Sequence, residues 1–160
     1  MARRLPDGAY RLIGVVGTSR AVTRLHPRAY RITGGRGPVG RIFGVQSVIV
    51  AMTGRRTGKT REVPLFAVPD GDRYVVIGSN AGDDREPSWV GNLRADPGAR
   101  LRVGPRVWPV LAHEAEGEER DRLWNLAVAA YPGYGVYRAM TGRPIPVIVL
   151  APASAGVEQA

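Results

Sequence analysis

Six short apolar segments, bounded by glycine, proline or aspartate, recur along the chain. Short strands with closely spaced turn residues are typical of an antiparallel sheet, and such a sheet loses its exposed edges when it curls into a barrel. The clearest pair is "REVPLFAV" and "RYVVIGS", which "PDGD" joins as an Asp-Gly hairpin turn. The sequence therefore predicts a mainly β, α+β fold. The predicted strands lie near 47–53, 62–68, 73–79, 100–103, 106–114 and 146–151.

A segment before the first strand favours a helix. Residues 17–33 place Val22, Leu25 and Tyr30 at roughly helical spacing among arginines, and Pro27 is expected to break or kink any single helix there. Packing against the core is the favoured interpretation of this apolar face. Contact with a membrane surface is the alternative.

Two further helices are predicted between the later strands. A short one opens at Pro87, and a longer one runs from about 117 to 131, with acidic residues in its first turn. The predicted organisation is one domain, 1–152, which includes an N-terminal helical segment, 1–42, that could serve as a lid. Residues 153–160 are expected to form a flexible tail.

Composition excludes several classes of chemistry. The chain has 160 residues, 44% of them hydrophobic, which suffices for one core. It has no cysteine, so disulfides and thiolate catalysis are excluded. His26 and His113 are its only histidines, which argues against a metal site or a Ser-His-Asp triad. No apolar stretch is long enough to span a membrane, and "MARRLPDG" lacks a signal-peptide pattern, so a cytoplasmic location is expected.

The stretch "TGRRTGKTREVPL" concentrates positive charge in one loop. Arg55, Arg56, Lys59 and Arg61 lie within seven residues, in a chain of net charge +9. Arginine suits phosphate and carboxylate, so the loop is predicted to bind an anion. A nucleic-acid surface is a weaker alternative, because no strand alternates basic and aromatic residues.

This loop is not a nucleotide-binding P-loop. Only three residues separate Gly54 from Gly58, whereas the P-loop motif requires four before its Gly-Lys pair. A P-loop also leads into a helix, but this loop leads into a strand. ATP chemistry is therefore not expected.

A second glycine-containing loop, "GSNAGDD", follows the strand "RYVVI". Its central residue is Asn80 rather than serine, which excludes a nucleophile elbow. Small residues at a strand end allow a flat ligand to approach backbone amides closely, and the next helix begins nearby. Ligand binding and an ordinary strand-to-helix connection are about equally supported.

The motif "YPGYGVY" spaces Tyr131, Tyr134 and Tyr137 three residues apart across a helix break. Tyrosines at helical spacing are usually core residues. Because Pro132 interrupts the helix, the rings could instead line a pocket, where a phenol can donate a hydrogen bond or supply a proton.

Five stretches, taken in order, resemble the deazaflavin-dependent nitroreductase family, split β-barrel oxidoreductases of actinobacteria that use coenzyme F420. They are "TGRRTGKTREVPL", "DGDRYVVIGSNAG", "PSWVGNLRADP", "AVAAYPGYGVYR" and "RPIPVIVLAP", within about residues 30–152. The resemblance implies an FMN-binding-like split barrel of antiparallel strands with flanking helices. It also implies hydride transfer from reduced F420 to a small electrophilic substrate, either an enone, a quinone or a nitro compound, with the protein orienting the cofactor.

The resemblance further implies a set of site residues. The phosphate and glutamate tail of the cofactor would be bound by Arg55, Arg56, Thr57, Gly58, Lys59 and Arg61. The cofactor's ring system would contact Val63, Pro64, Phe66, Ile77, Gly78, Ser79 and Asn80. The cofactor site would be closed by Trp89 and Asn92. Tyr131, Tyr134 and Tyr137 match the family pattern "YPxYxxY" and would line the substrate side as catalytic residues. Phe66, Ala81 and Asn80 depart from residues common in the family, which puts nitroimidazole reduction in doubt.

Two rivals remain at this stage. The same barrel could bind FMN or haem. FMN has only one phosphate, so it would leave most of the four basic residues of the loop without an anionic partner. A non-catalytic basic β-barrel that binds nucleic acid would instead show steep salt dependence. The expected partner is a small-molecule substrate, with no nucleic acid and no transmembrane segment. Peripheral membrane contact by the N-terminal segment and the choice between monomer and homodimer stay open.

Overall fold

Seven antiparallel strands form one closed sheet in the computed structural model, which describes residues 4–153. The strands are β1 (Arg41–Ile42), β2 (Val45–Thr53), β3 (Thr60–Asp70), β4 (Arg73–Ile77), β5 (Gly98–Val103), β6 (Arg106–Glu114) and β7 (Val147–Pro152). Their order is β1-β2-β3-β4-β7-β6-β5, and β2 also pairs with β5. Six of them therefore close into a barrel, and the two-residue β1 pairs only with β2.

The six predicted strands and the predicted hairpin are confirmed, with boundaries that shift by a few residues. Asp70 pairs with Arg73, and Gly71 adopts a left-handed conformation with φ of 65° in the turn between them. Alternation of apolar side chains and the turn residues are local signals, which is why the sequence locates these strands well.

Five α-helices surround the barrel within residues 4–153. They are α1 (Asp7–Gly17), α2 (Arg20–Thr33), α3 (Ser88–Ala95), α4 (Gly117–Ala130) and α5 (Gly133–Met140). The two later helices predicted from the sequence correspond to α3 and α4, and α5 was not predicted. No helix in this described part of the chain has the length and apolar character needed to cross a membrane. Of the predicted tail, residues 154–160 lie outside the described residues.

Neighbouring residues of one strand serve two different cores. Val76 and Ile148 face a cluster inside the barrel, whereas Val75 and Val149 face a second cluster against the helices. Successive side chains of a strand point to opposite faces of the sheet, so β2, β3, β4 and β7 each contribute to both clusters. The second cluster continues into α4, α5 and Tyr10 of α1.

The helix α2 corrects two expectations. It runs without interruption through Pro27, so the predicted break is absent, whereas a kink there stays a prediction. Proline removes one helical hydrogen bond, and here its ring is buried, so packing offsets part of that loss. Leu25 is 60% exposed, so its predicted place on the core side is also wrong. Five residues at 100° each turn it well away from the buried Tyr30.

Tyr30 anchors α2 to the barrel, as its predicted core position requires. Its side chain is 0% exposed. The hydroxyl donates to the Ser47 carbonyl at 2.9 Å and accepts from the Gly104 backbone N–H at 2.8 Å. One phenol thereby joins α2 to β2 and to the turn between β5 and β6.

Candidate active site

A cavity of about 1280 Å³ lies between the barrel and its helices. Its walls come from β2 and β3, from the loops that follow β2 and β4, and from α1, α2, α3 and α5. Pockets for drug-sized ligands usually measure about 300–1000 Å³. This cavity therefore has room for a large cofactor together with a small second molecule.

All the site residues predicted from the sequence line this cavity except Gly58, Lys59 and Gly78. Gly58 and Lys59 are exposed in the loop between β2 and β3. Gly78 is buried, and a Cβ atom there would lie 2.9 Å from the Val90 side chain, so glycine is required for close packing on α3. The predicted residues that line the cavity are Arg55, Arg56, Thr57, Arg61, Val63, Pro64, Phe66, Ile77, Ser79, Asn80, Trp89, Asn92, Tyr131, Tyr134 and Tyr137.

The basic loop joins β2 to β3, as predicted, and one of its arginines ties it to α3. The loop closes through the Gly54 N–H, which donates to the Lys59 carbonyl at 2.8 Å. Arg55 donates from its backbone N–H to Asn92 Oδ1 at 3.1 Å and from its guanidinium to the Ser88 carbonyl at 3.0 Å. The Arg55 side chain and Asn92 thus hold the loop in place against α3.

The remaining arginines at this end give the cavity a positive region. Within residues 4–153, Arg56 and Arg61 form no ion pair, and both line the cavity. Arg85 joins them there, and its guanidinium lies no closer than 3.9 Å to Asp83. The start of α3, at Ser88, also borders the cavity, and free N–H groups at a helix N-terminus attract anions. Arg85 was missed, although its place just before a predicted helix was the available signal.

The loop after β4 has a strained backbone. Asn80 and Ala81, with φ of 44° and 54°, have a left-handed backbone conformation that residues other than glycine rarely adopt. Asn80 donates from its side chain to the Arg85 carbonyl at 2.8 Å, which fixes its orientation. Such strain persists only where surrounding contacts impose it.

Arg143 supplies those contacts from the segment before β7. Its guanidinium donates to the carbonyls of Ser79 at 2.9 Å, Asp83 at 2.9 Å and Gly78 at 3.2 Å. Sequence analysis missed Arg143, because it lies about sixty residues from the loop and no local pattern links the two.

The opposite end of the cavity is aromatic. The ring centroid of Tyr131 lies 5.3 Å from that of Phe66 and 5.1 Å from that of Tyr134, both in edge-on geometry. The Tyr131 and Tyr137 hydroxyl oxygens are 3.0 Å apart, and Tyr137 donates to the Tyr10 carbonyl of α1 at 2.7 Å. The break between α4 and α5 lets these rings converge, so the tyrosines both pack in the core and line the cavity.

Only one of the three tyrosine hydroxyls is free to meet a ligand. The Tyr131 hydroxyl bonds that of Tyr137, and Tyr137 bonds the Tyr10 carbonyl of α1, whereas the Tyr134 hydroxyl has no hydrogen bond to any residue within 4–153. Burial raises the pKa of all three phenols. They therefore stay protonated at neutral pH, and Tyr134 can act as a hydrogen-bond donor rather than as a base.

The helix α1 forms a wall over this aromatic end. Leu12, Ile13 and Val16 line the cavity from α1. The buried Gly14 lies where a Cβ atom would be 2.6 Å from the Ala81 side chain and 2.8 Å from the Tyr137 hydroxyl. The predicted lid function of the N-terminal segment stays a prediction, but α1 and α2 do border the cavity.

The sequence matches the F420H(2)-dependent quinone reductase family over residues 22–152. The chain belongs to this family. The resemblance to split-barrel F420-dependent enzymes is therefore confirmed, with quinone reductases in place of nitroreductases as the matched family. The reductase is an oxidoreductase whose cofactor is coenzyme F420, so the FMN and haem alternatives are set aside.

Relatives of the reductase agree with this assignment. An F420H(2)-dependent quinone reductase of Mycobacterium tuberculosis is 39% identical over 132 residues, which cover 79% of this chain and 87% of the relative. The solved structure of an F420-H2 dependent reductase, FDR-A, is 42% identical with a TM-score of 0.61, covering 65% of this chain and 92% of that one. A solved domain-swapped dimer is 36% identical with a TM-score of 0.64, and the match covers 79% of this chain and 96% of that one. The split-barrel fold is confirmed, whereas the roles of individual residues stay predictions.

We expect Gly14→Ala to loosen α1 in the reductase, because the added methyl group would overlap Ala81 and the Tyr137 hydroxyl. Overpacking of this kind costs about 1–3 kcal/mol. Hydrogen exchange of the α1 amides measures the effect as a loss of protection. Gly8→Ala is the matched control, since a Cβ atom there meets nothing within 4 Å. Equal protection in the Gly14→Ala variant and the parent would contradict the packing of α1 on Ala81.

Proposed function

We propose that the reductase binds coenzyme F420 along its cavity, with the tail at the basic end and the deazaflavin ring at the aromatic end, and reduces a quinone there. The observation that carries this proposal is the division of one cavity into a cationic region and an aromatic region. A cofactor with a flat head and an anionic tail fits that division. The family name supports a quinone as the substrate class.

The basic end suits the phosphate and glutamate groups of the tail. Arg56, Arg61 and Arg85 line it, and α3 adds its N-terminus. Guanidinium groups bind phosphates and carboxylates through paired hydrogen bonds. Arg55 acts differently, because its guanidinium bonds the Ser88 carbonyl and so orients the loop. Thr57 accepts a hydrogen bond from Arg61 at 3.4 Å, which helps to aim that side chain.

The middle of the cavity suits a flat ring system. Val63, Pro64 and Phe66 offer apolar contacts from β3, and Ile77 adds one from β4. The loop that follows β4 presents Ser79 and Asn80 to the same space. Backbone amides in such left-handed loops can bond the carbonyl oxygens of a ring. Arg143 keeps this loop rigid through its hydrogen bonds to the loop carbonyls.

The residues of the chain bind, orient and shield the reacting groups. Reduced coenzyme F420 supplies a hydride when it is bound. Tyr134 would donate a hydrogen bond to the quinone oxygen on which negative charge develops, and such a donor stabilises charge strongly in a site that excludes water. Tyr131 and Tyr137 hold Tyr134 in place by ring packing, and α1 screens the aromatic end from water.

We expect the double variant Arg56→Gln/Arg61→Gln to bind coenzyme F420 at least about tenfold more weakly, because charged hydrogen bonds contribute roughly 1.5–3 kcal/mol each. Fluorescence titration measures the dissociation constant. A deazaflavin without phosphate and glutamates should bind almost equally to both proteins, since it lacks the anionic groups.

Arg28→Gln is the control, because Arg28 is exposed on α2 outside the cavity lining. Lys59→Gln tests the exposed lysine of the loop, for which we expect a smaller loss than for the double variant. If the double variant binds the complete cofactor as tightly as the parent, the tail does not lie at the basic end.

We expect Tyr134→Phe to lower kcat for quinone reduction about tenfold to hundredfold, because it removes the free hydroxyl near the developing charge. Its thermal stability should stay close to that of the parent, since that hydroxyl makes no hydrogen bond within residues 4–153. Tyr131→Phe is the contrasting variant, because its hydroxyl bonds Tyr137 and should matter more for stability than for turnover. Parent-like turnover of Tyr134→Phe would remove Tyr134 from the reaction.

We also propose that the N-terminal helices contact an anionic membrane surface. Leu12, Val16 and Phe43 line the cavity and yet are 65%, 53% and 53% exposed, so they mark its entrance. Phe43 keeps a left-handed backbone, φ 52°, which is uncommon for a bulky residue. Between residues 7 and 43 the chain has seven arginines and one aspartate, a net charge of +6. Basic helices with exposed apolar side chains bind anionic lipid surfaces. A cytoplasmic location stays a prediction.

We expect the reductase to co-sediment with phosphatidylglycerol-containing vesicles and not with purely zwitterionic ones. Leu12→Ser/Val16→Ser/Phe43→Ser should abolish this binding, because burial of apolar side chains provides much of its free energy. Leu111→Ser is the matched control, since Leu111 is 52% exposed on β6 outside the cavity lining. Equal binding of the triple variant and the control would contradict membrane contact at the entrance.

A further inference from the structure

His26 and Ser47 form a polar pair in the part of the cavity that α2 and β2 enclose. His26 Nε2 lies 3.5 Å from Ser47 Oγ, which is the outer limit of a hydrogen bond. His26 Nδ1 is out of contact with solvent and has no hydrogen-bond partner, and no other buried side-chain nitrogen or oxygen within residues 4–153 shares this condition. Because Nδ1 is sealed from solvent, the atoms of this pair that can bond a ligand in the cavity are His26 Nε2 and Ser47 Oγ.

The pair is held firmly in position. The Ser47 backbone N–H donates to the Gly40 carbonyl at 2.9 Å. The Ser47 carbonyl accepts from the Tyr30 hydroxyl and from Gln46 Nε2, each at 2.9 Å. The His26 ring packs beside Tyr30, with 5.9 Å between ring centroids. The Ser47 hydroxyl is thus the one polar group of that residue without a short bond.

Strand pairing places this pair next to the aromatic end. Ser47 of β2 lies directly opposite Phe66 of β3, and opposite residues of an antiparallel pair project their side chains from the same face. The centroid of the Phe66 ring in turn lies 5.3 Å from that of the Tyr131 ring. The polar pair and Tyr131 therefore both flank Phe66 in the same cavity.

The chemistry of the pair suits both redox states of a quinone. Burial lowers the pKa of His26, so the imidazole is neutral at pH 7. A neutral imidazole and a hydroxyl each provide one donor and at least one acceptor. A quinone oxygen only accepts hydrogen bonds, whereas the hydroxyl formed on reduction also donates. A single ligand oxygen can lie about 2.8 Å from two atoms that are 3.5 Å apart.

We propose that His26 and Ser47 form a subsite that hydrogen-bonds one oxygen of the quinone while Tyr134 meets the other. This inference rests on the proposed function and specifies its substrate. The subsite favours para-quinones, which have two oxygens on opposite sides of the ring. An electrophile with a single oxygen occupies one of the two positions only.

The test uses the two histidines as reporters. Imidazole ¹⁵N signals of the labelled protein with oxidised coenzyme F420 are followed by NMR during titration with 2-methyl-1,4-naphthoquinone. His26 should shift, whereas His113, exposed and paired with Glu119, should not. Quinones form adducts with thiols, and the absence of cysteine removes that side reaction. A His26 signal that stays in place while the quinone binds overturns the inference.

Variants provide a second readout. We expect His26→Leu to weaken naphthoquinone binding, measured by calorimetry with the oxidised cofactor, about tenfold, with a similar rise in KM. His26→Gln keeps a donor and an acceptor and should retain most of the affinity. Ser47→Ala should show a smaller loss, and His113→Leu should match the parent. Cofactor affinity should be unchanged throughout.

The two proposals fail in different ways. If the parent reduces naphthoquinone and His26→Leu binds it equally well, the subsite is wrong and the proposed function stands. If the parent does not oxidise F420H2 with naphthoquinone, the proposed function fails, whatever the histidine signals show. A parent-like affinity in both His26→Leu and Ser47→Ala would assign the pair to packing alone.

Discussion

Pairing of β2 with β5 closes the barrel, and the geometry of the cavity depends on that closure. β2 is bonded along one edge to β3 and along the other to β5, so its position is fixed on both sides. The basic loop starts where β2 ends, and Ser47 lies near the beginning of the same strand. The distance between the cationic region and the aromatic region is therefore set by a strand that cannot move independently of the barrel.

The positive region exists because the acidic residues are engaged elsewhere. Arg94 pairs with both Glu86 and Glu114, so Glu86, which borders the cavity, is already bound to an arginine. Arg31 of α2 pairs with Glu62, the residue that follows Arg61 on β3. Had Glu62 faced Arg61 instead, the cavity would have lost a free cation. Alternation along β3 sends the two neighbours to opposite faces.

Local patterns identified the strands, the hairpin and the basic loop, because each depends on residues close together in the sequence. The resemblance then supplied site residues such as Trp89 and Tyr134, most of which line the cavity. Sequence reasoning did not find the contributions of α1, Arg143 or the His26 and Ser47 pair.

Those features depend on contacts between distant segments. Tyr137 bonds the carbonyl of Tyr10, 127 residues earlier in the chain, and no period in the sequence records that contact. Pro27 also shows that local signals are insufficient. Proline disfavours a helix locally, yet Pro27 lies inside α2, where its ring is buried. Boundaries and partners were harder to infer than the existence of elements.

The hydrogen bond from Tyr137 to the Tyr10 carbonyl joins α1 to the rest of the protein without strand pairing. The barrel and the helix that borders the cavity can therefore change independently in evolution. The proposed cofactor site belongs to the barrel and its loops, where a change disturbs strand pairing or the contact of Arg55 with α3. The wall over the aromatic end belongs to α1, which packs on α5 and on the loop after β4 through the Tyr10 carbonyl, the Tyr10 ring and the close approach of Gly14. Side chains such as Leu12 and Val16 can therefore diverge without loss of the barrel, and the range of accepted substrates can evolve while the cofactor stays the same.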